Sequence, residues 1–185
     1  KGELHKMSEQ TKEPLSNLSN IDNIHQEVHF EDDICDYLLA HGWIGGDKNP
    51  GYYDAKLALI PSDALSWIQT IYPQEWQKLV AAHGNEGASA LFIRKLTENL
   101  ESQGSLSVFR QGFKMVGTGS TMLAMASFKP AFELNPDEVT KYNANRCRIV
   151  RQVHFSPYRT AESIDLVLFL NGIPVATLEL KTEST

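Results

Sequence analysis

Three charged residues interrupt an otherwise aliphatic run near the end of this 185-residue chain, SIDLVLFLNGIPVATLELK (163–181). They are Asp165, Glu179 and Lys181, and charged side chains are rarely buried unless they are paired or bind a metal. Two neighbouring carboxylates repel each other, and a divalent cation such as Mg²⁺ removes that cost. A bound metal ion with a lysine beside it has the components for hydrolysis of a phosphodiester. The alternative is an exposed strand end, since the same acid-to-lysine spacing recurs in DAK (54–56).

The register of the predicted β-hairpin decides whether the three charged residues meet. Side chains alternate along a strand, so Glu179 and Lys181 share a face, with Cα atoms about 7 Å apart. A two-residue turn at Asn171–Gly172 in regular register would place Asp165 opposite Leu178, on the wrong face. A three-residue loop or a β-bulge would place Asp165 opposite Glu179 instead. We therefore predict one of these two irregularities in the hairpin.

A basic segment, residues 141–159, precedes the hairpin and contains five basic residues and no acidic one. The chain as a whole has a net charge of −6, which argues against a protein that coats itself with nucleic acid. A local basic face is compatible with contacts to DNA phosphates, and a solvated strand and turn is the alternative. The residues predicted to contact DNA are Arg146, Arg148, Arg151, Gln152 and Arg159.

Helical patterns dominate the first half of the chain. Residues 25–43 are predicted to form a helix that ends at Gly42. Its inward stripe is formed by Glu31, Ile34, Cys35 and Leu38. A turn-rich loop is predicted over 44–56, and residues 61–104 are predicted to form three helices, with a break at Pro73 and an end at Gly104. Ser62 or Asp63 is expected to cap the first of them.

The periodicity changes after Gly104 towards strands. One or two strands are predicted over 106–130, followed by a short helix with Asn135 as its N-cap. The sequence RCRIVRQVHFS (146–156) is predicted to be a strand that presents Ile149, Arg151, Val153 and Phe155 on one face. Helices followed by an antiparallel-leaning sheet indicate an α/β or α+β fold.

Composition adds limits on environment and domain organisation. A 42% hydrophobic and 22% charged chain is typical of a globular domain with a sizeable core. Two cysteines favour a reducing compartment, and the absence of a long apolar run predicts no membrane segment, so a cytoplasmic location is expected. Residues 1–23 are polar and are predicted to be a flexible lead-in, with Met7 as the natural start after an added segment, residues 1–6.

From about Phe109 to Lys181 the chain resembles the N-terminal nuclease region of the R (motor) subunit of type I restriction endonucleases. The sequences that carry the resemblance are VFRQGF, FKPAFELNP, YNANRCRIVRQVHFSP and, above all, SIDLVLFLNGIPVATLELK. It implies the PD-(D/E)xK nuclease fold, a mixed sheet flanked by helices, here with the helical segment 61–104 inserted. It also implies Mg²⁺-dependent cutting of DNA, with Asp165 and Glu179 holding the metal and Lys181 as the catalytic lysine. Glu31 matches the position of a further carboxylate and is a third candidate metal ligand, although a glutamate in a first helical turn is an alternative reading.

The chain departs from the family pattern at several points. Ile164 replaces the proline that usually precedes the aspartate, and neither the Q-x-x-x-Y motif nor the P-loop of the motor domains is found in the sequence. We therefore expect residues 24–185 to be the endonuclease domain of a larger subunit, with ATP bound only by motor domains outside this chain. The implied partners are double-stranded DNA and the methylation and specificity subunits. A non-catalytic module that docks DNA or other subunits, and a related exonuclease or resolvase, are the alternatives.

Overall fold

The computed structural model describes residues 16–48, 50–132, 134–156, 158–159 and 161–181, with side chains described from residue 28 onward. Its elements, in chain order, are α1 (Ser16–Ala40), β1 (Ile44–Lys48), α2 (Pro61–Ile71), α3 (Pro73–Gln103), α4 (Ser105–Arg110), α5 (Pro136–Asn143), β2 (Cys147–Val153), β3 (Ile164–Leu170) and β4 (Ile173–Leu178). The strands form one mixed sheet in the order β1-β2-β3-β4, with β1 parallel to β2 and the other pairs antiparallel. The predicted fold class, a mixed sheet flanked by helices, is confirmed.

Helix α1 extends the predicted helix towards the N-terminus. It begins at Ser16, inside the segment predicted to be a flexible lead-in, and residues 1–15 lie outside the described part of the chain. Its predicted inward stripe is confirmed at two positions, because Glu31 and Cys35 are both buried.

The prediction of a loop over 44–56 is wrong at its start, where residues 44–48 form β1. Gly45 has a φ of 99°, and a Cβ built on it would lie 2.4 Å from the carbonyl oxygen of Ile149. This edge strand therefore approaches β2 too closely for any side chain at position 45. Glycine has a low propensity for β-strands, so the sequence of residues 44–48 gave no indication of a strand.

The break at Pro73 is confirmed, and a second break lies at Gly84, whose φ of 70° and ψ of 170° interrupt α3. The predicted cap of α2 is wrong. Ile60 is the N-cap residue, it makes no side-chain capping bond, and Pro61 begins the helix. Because proline is well suited to the first helical position, Asp63 falls inside the first turn, where its side chain is buried.

The strands predicted over 106–130 are also wrong. Residues 105–110 form α4, and residues 111–130 contribute only an isolated bridge between Phe113 and Leu123. Val108 and Phe109 are adjacent and both buried, which one side of a helix allows and strand alternation does not. The short helix α5 is as predicted, with the Asn135 side chain accepting a hydrogen bond from the backbone of Asp137 at 3.1 Å.

The sheet is covered on both faces. Helix α1 packs on one face through a cluster that includes Cys35, Ile149 and Leu166. The other face carries a cluster built on Val167 and Phe169. The largest buried cluster joins α2, α3 and α4, and includes Trp67, which is fully buried. Within the described residues, no helix is both long enough and apolar enough to cross a bilayer.

Candidate active site at the open end of the hairpin

A bulge sets the register of the β3–β4 hairpin. Next to the two-residue turn, Leu170 pairs with Ile173 and Phe169 with Pro174, but Leu168 then pairs with Ala176. Val175 is the extra residue. The shifted register continues to the Leu166–Leu178 pair, where the ladder ends, and one further step in the same register would set Asp165 opposite Glu179. The predicted irregularity is thus confirmed, and it is a bulge.

The turn of this hairpin is buried in the protein. Asn171, with a φ of 49°, accepts a hydrogen bond from the backbone of Arg146 at 2.7 Å and donates one to the carbonyl of Met125 at 2.9 Å. A Cβ on Gly172 would lie 2.3 Å from the carbonyl oxygen of Ile60. Since the turn is fixed, the open end of the hairpin, where the charged residues lie, is held at a defined distance from the core.

Asp165 connects the two strands at that open end. Its Oδ2 accepts a hydrogen bond from the backbone N–H of Leu180 at 2.7 Å, which fixes the segment between Glu179 and Lys181. Leu178 and Leu180 pack towards α1, so alternation directs Glu179 to the opposite face of the sheet. Glu179 and Lys181 are exposed, and no side-chain hydrogen bond or ion pair joins either to another residue in the described part of the chain. Both are therefore accessible to a ligand.

Glu31 lies near this end but is already paired. It is 4% exposed; its Oε1 accepts a hydrogen bond from Arg151, and its Oε2 accepts one from the side-chain amide of Gln152 at 2.9 Å. The same amide lies 3.4 Å from Asp165 Oδ1. Among the described residues, no group of three or more histidine, cysteine, aspartate or glutamate side chains is arranged to hold a metal ion. The structure thus connects Glu31 to Asp165 through Gln152.

The side chain of Ser163 completes this group of contacts, and the sequence analysis did not single it out. Its hydroxyl donates a hydrogen bond to the Gln152 amide oxygen at 2.8 Å.

The predicted single face of β2 is wrong, because Ile149 packs with the α1 cluster and Val153 with the cluster on the opposite face. Gln152, with a φ of 50°, interrupts the alternation between them. A positive φ at glutamine leaves no signal in a hydrophobic pattern.

Carboxylates neutralise the basic segment. Arg146 and Arg148 both donate to Asp63, at 3.0 Å and 2.6 Å for their Nε atoms. The hydrogen bond to Asp63 raises the pKa of the Arg148 guanidinium. The other pairs are Arg151 with Glu31 and Asp32, Arg159 with Glu162, and Lys141 with Glu138. The five cations therefore contact five carboxylates, and the excess of positive charge that motivated the DNA prediction is absent locally. Contact of these residues with DNA stays a prediction.

The open end of the hairpin presents a donor set of hard oxygen atoms. Asp165 and Glu179 come from opposing strands, and neither carboxylate makes an ion pair with a described cation. Two carboxylates suit Mg²⁺, which usually keeps several waters and takes its other ligands from phosphate oxygens. The residues present thus fit a magnesium ion.

Comparison with known families places the chain. A family described as the type I restriction enzyme R protein N terminus matches residues 31–185. The chain belongs to this family. The match includes Glu31, the basic segment and the whole hairpin, so the resemblance recognised in the sequence is confirmed. No curated protein and no solved structure matches the chain.

Proposed function

We propose that this member of the R protein family is a Mg²⁺-dependent DNA endonuclease domain. It hydrolyses phosphodiester bonds after ATP-driven translocation by motor domains that are not in this chain. Its partners are double-stranded DNA and the methylation and specificity subunits, in the cytoplasm. The observation that carries the proposal is the bulge at Val175, because its shifted register, continued one step past the Leu166–Leu178 pair, would set Asp165 opposite Glu179. Family membership supports the biological setting.

Each residue of the site has a separate task. Asp165 and Glu179 would hold Mg²⁺, which, when bound, polarises a phosphate oxygen and makes a bound water more acidic. The Lys181 ammonium is exposed and donates a hydrogen bond to a phosphate oxygen or to the attacking water. This bond orients the group that accepts it, and the positive charge of the lysine offsets the negative charge that develops on the phosphate. The Asp165 carboxylate also accepts from the Leu180 N–H, so it fixes the backbone between Glu179 and Lys181. Binding of metal and orientation of the lysine therefore depend on one aspartate.

The proposal is tested with Asp165→Ala in the intact R subunit, assembled with its partner subunits. ATP hydrolysis and the cutting of unmodified circular DNA in Mg²⁺ are followed together. We expect cutting to be lost while ATP hydrolysis persists, because separate motor domains hydrolyse the ATP. Asp54→Ala is the control, since Asp54 precedes a lysine by two residues, as Glu179 does, but its side chain accepts hydrogen bonds only from the backbone of its own turn, at Lys56 and Leu57.

Two results would count against the proposal. If the Asp165→Ala enzyme cuts circular DNA at the wild-type rate, the hairpin is structural and the chain is a docking module. If the wild-type enzyme cuts linear DNA but leaves circles intact, the activity requires a DNA end and belongs to an exonuclease.

A further inference from the structure

Gln152 has an unusual backbone conformation for a residue inside a strand. The β2–β3 ladder pairs Arg151 with Leu166 and Val153 with Ile164, so Gln152 lies directly opposite Asp165. Its φ of 50° is in the left-handed region, which side chains with a Cβ rarely adopt. Such strain persists only where the surrounding contacts hold it, and it is concentrated at functional sites. The conformation directs the Gln152 side chain towards the open end of the hairpin instead of continuing the alternation.

The Gln152 amide is fixed by three side chains. Its NH₂ group donates to Glu31 Oε2 at 2.9 Å and approaches Asp165 Oδ1 at 3.4 Å, and its oxygen accepts from the Ser163 hydroxyl at 2.8 Å. The opposite amide orientation would place the carbonyl oxygen against two carboxylates, so the network permits only this one. One amide thus lies between Glu31 and Asp165 and offers a donor to each.

Glu31 completes the connection, and a cation already balances its charge. Arg151 holds Oε1, Gln152 holds Oε2, and the side chain is almost fully buried. A metal ion bound directly by Glu31 would lie beside the Arg151 guanidinium, whose positive charge already balances this carboxylate. Asp165 has no cationic partner among the described residues, and Glu31 is connected to it only through Gln152.

We propose that Gln152 is a positioning residue that orients Asp165 for metal binding, and that Glu31 acts by orienting Gln152 and not as a metal ligand. This inference rests on the proposed function, because it requires Asp165 to bind the metal. Residues of this kind, one contact removed from the metal, typically change its affinity by roughly 10- to 100-fold when they are replaced.

The test is a titration of the 185-residue chain with Mn²⁺, a spectroscopic substitute for Mg²⁺, in which free ion is followed by electron paramagnetic resonance. Gln152→Met keeps the length of the side chain and removes all three amide contacts. We expect it to weaken Mn²⁺ binding roughly 10-fold, with circular dichroism unchanged. Glu31→Gln should weaken binding to a similar or smaller extent. The double variant should bind no more weakly than Gln152→Met, because the two residues act in series.

The outcomes separate this inference from the proposed function. Wild-type chain that binds Mn²⁺ no better than Asp165→Asn overturns the metal site and, with it, the role of Gln152. Normal binding by Gln152→Met overturns the positioning role alone. A double variant that binds several-fold more weakly than Gln152→Met identifies Glu31 as a direct ligand and overturns its assigned role.

A milder variant keeps the test decisive if Gln152→Met does not fold. Ser163→Ala removes the hydroxyl that orients the amide and leaves both carboxylates in place. We expect Mn²⁺ affinity to fall several-fold, with cutting by the assembled enzyme restored at high Mg²⁺. Unchanged affinity in this variant would contradict the proposal.

Discussion

Replacement of Asp63 by alanine removes the carboxylate that joins α2 to β2. Asp63 is 2% exposed and accepts three hydrogen bonds, one from Arg146 and two from Arg148. The Arg148 side chain is only 13% exposed, so the variant leaves a guanidinium largely buried without its counter-charge. Breaking a buried ion pair from one side typically costs about 3–5 kcal/mol. Arg146 is 39% exposed and adds little, because water replaces the lost partner.

The exposed pair between Lys141 and Glu138 is the matched control. Its side chains are 44% and 47% exposed at a separation of 2.9 Å, so Glu138→Ala should cost less than about 1 kcal/mol. In a chain of this size each kcal/mol lowers the melting temperature by about 2–4 °C. Asp63→Ala should therefore melt about 6–20 °C below the wild type, and Glu138→Ala within about 4 °C of it.

Urea unfolding followed by circular dichroism measures the free energy of unfolding of each variant. Equal slopes against urea show that the unfolded states are comparable. A double-mutant cycle with Arg148→Met measures the coupling free energy between Asp63 and Arg148. If Asp63→Ala loses no more stability than Glu138→Ala, solvent already reaches the guanidinium and our account of the basic segment is wrong. The arginines would then be available to DNA phosphates, as the sequence alone predicted.

Three further predictions concern separate parts of the fold. Asn171→Ala leaves the N–H of Arg146 and the carbonyl of Met125 without partners, so urea unfolding should show a loss of about 2–4 kcal/mol; a loss below about 1 kcal/mol would contradict the buried turn. Gly45→Ala should detach β1 from β2, seen as faster amide exchange in β1 alone, and unchanged exchange would disprove the close approach. Burial raises the pKa of the Cys35 thiol, so alkylation at pH 8 should be slower than in the urea-unfolded chain. The contribution of this protonated thiol to the free energy of unfolding should decline as the pH rises above the thiol's pKa in the unfolded chain. Equal alkylation rates would exclude that shift.

The hairpin could be predicted because its evidence is local. Alternation fixed which residues share a face, and the requirement that Asp165 meet Glu179 restricted the register to a three-residue loop or a bulge. The choice between these two could not be made from sequence. It depends on the buried Asn171, whose partners at Arg146 and Met125 are distant along the chain.

The ion pairs of the arginines could not be predicted for the same reason. Their partners are distant along the chain, as Asp63 precedes Arg148 by 85 positions. Residues 105–110 were misassigned because a six-residue helix carries less than two turns of pattern, too little to distinguish it from a strand. The low strand propensity of glycine likewise concealed β1 from a sequence-based prediction, because its close packing on Ile149 overrides the preference of glycine for turns.

The buried turn has a consequence for how this domain can vary. Hairpin turns are usually where insertions are tolerated and where peptide tags are placed. Here Asn171 and Gly172 are fully enclosed, so that site is closed to both. The hairpin could lengthen only along its strands, and only by two residues in each, because a single added residue would reverse the face on which Asp165 and Glu179 meet. The distance from the turn to the candidate site is therefore a quantity that evolution and protein engineering can change only in steps, each of about 7 Å.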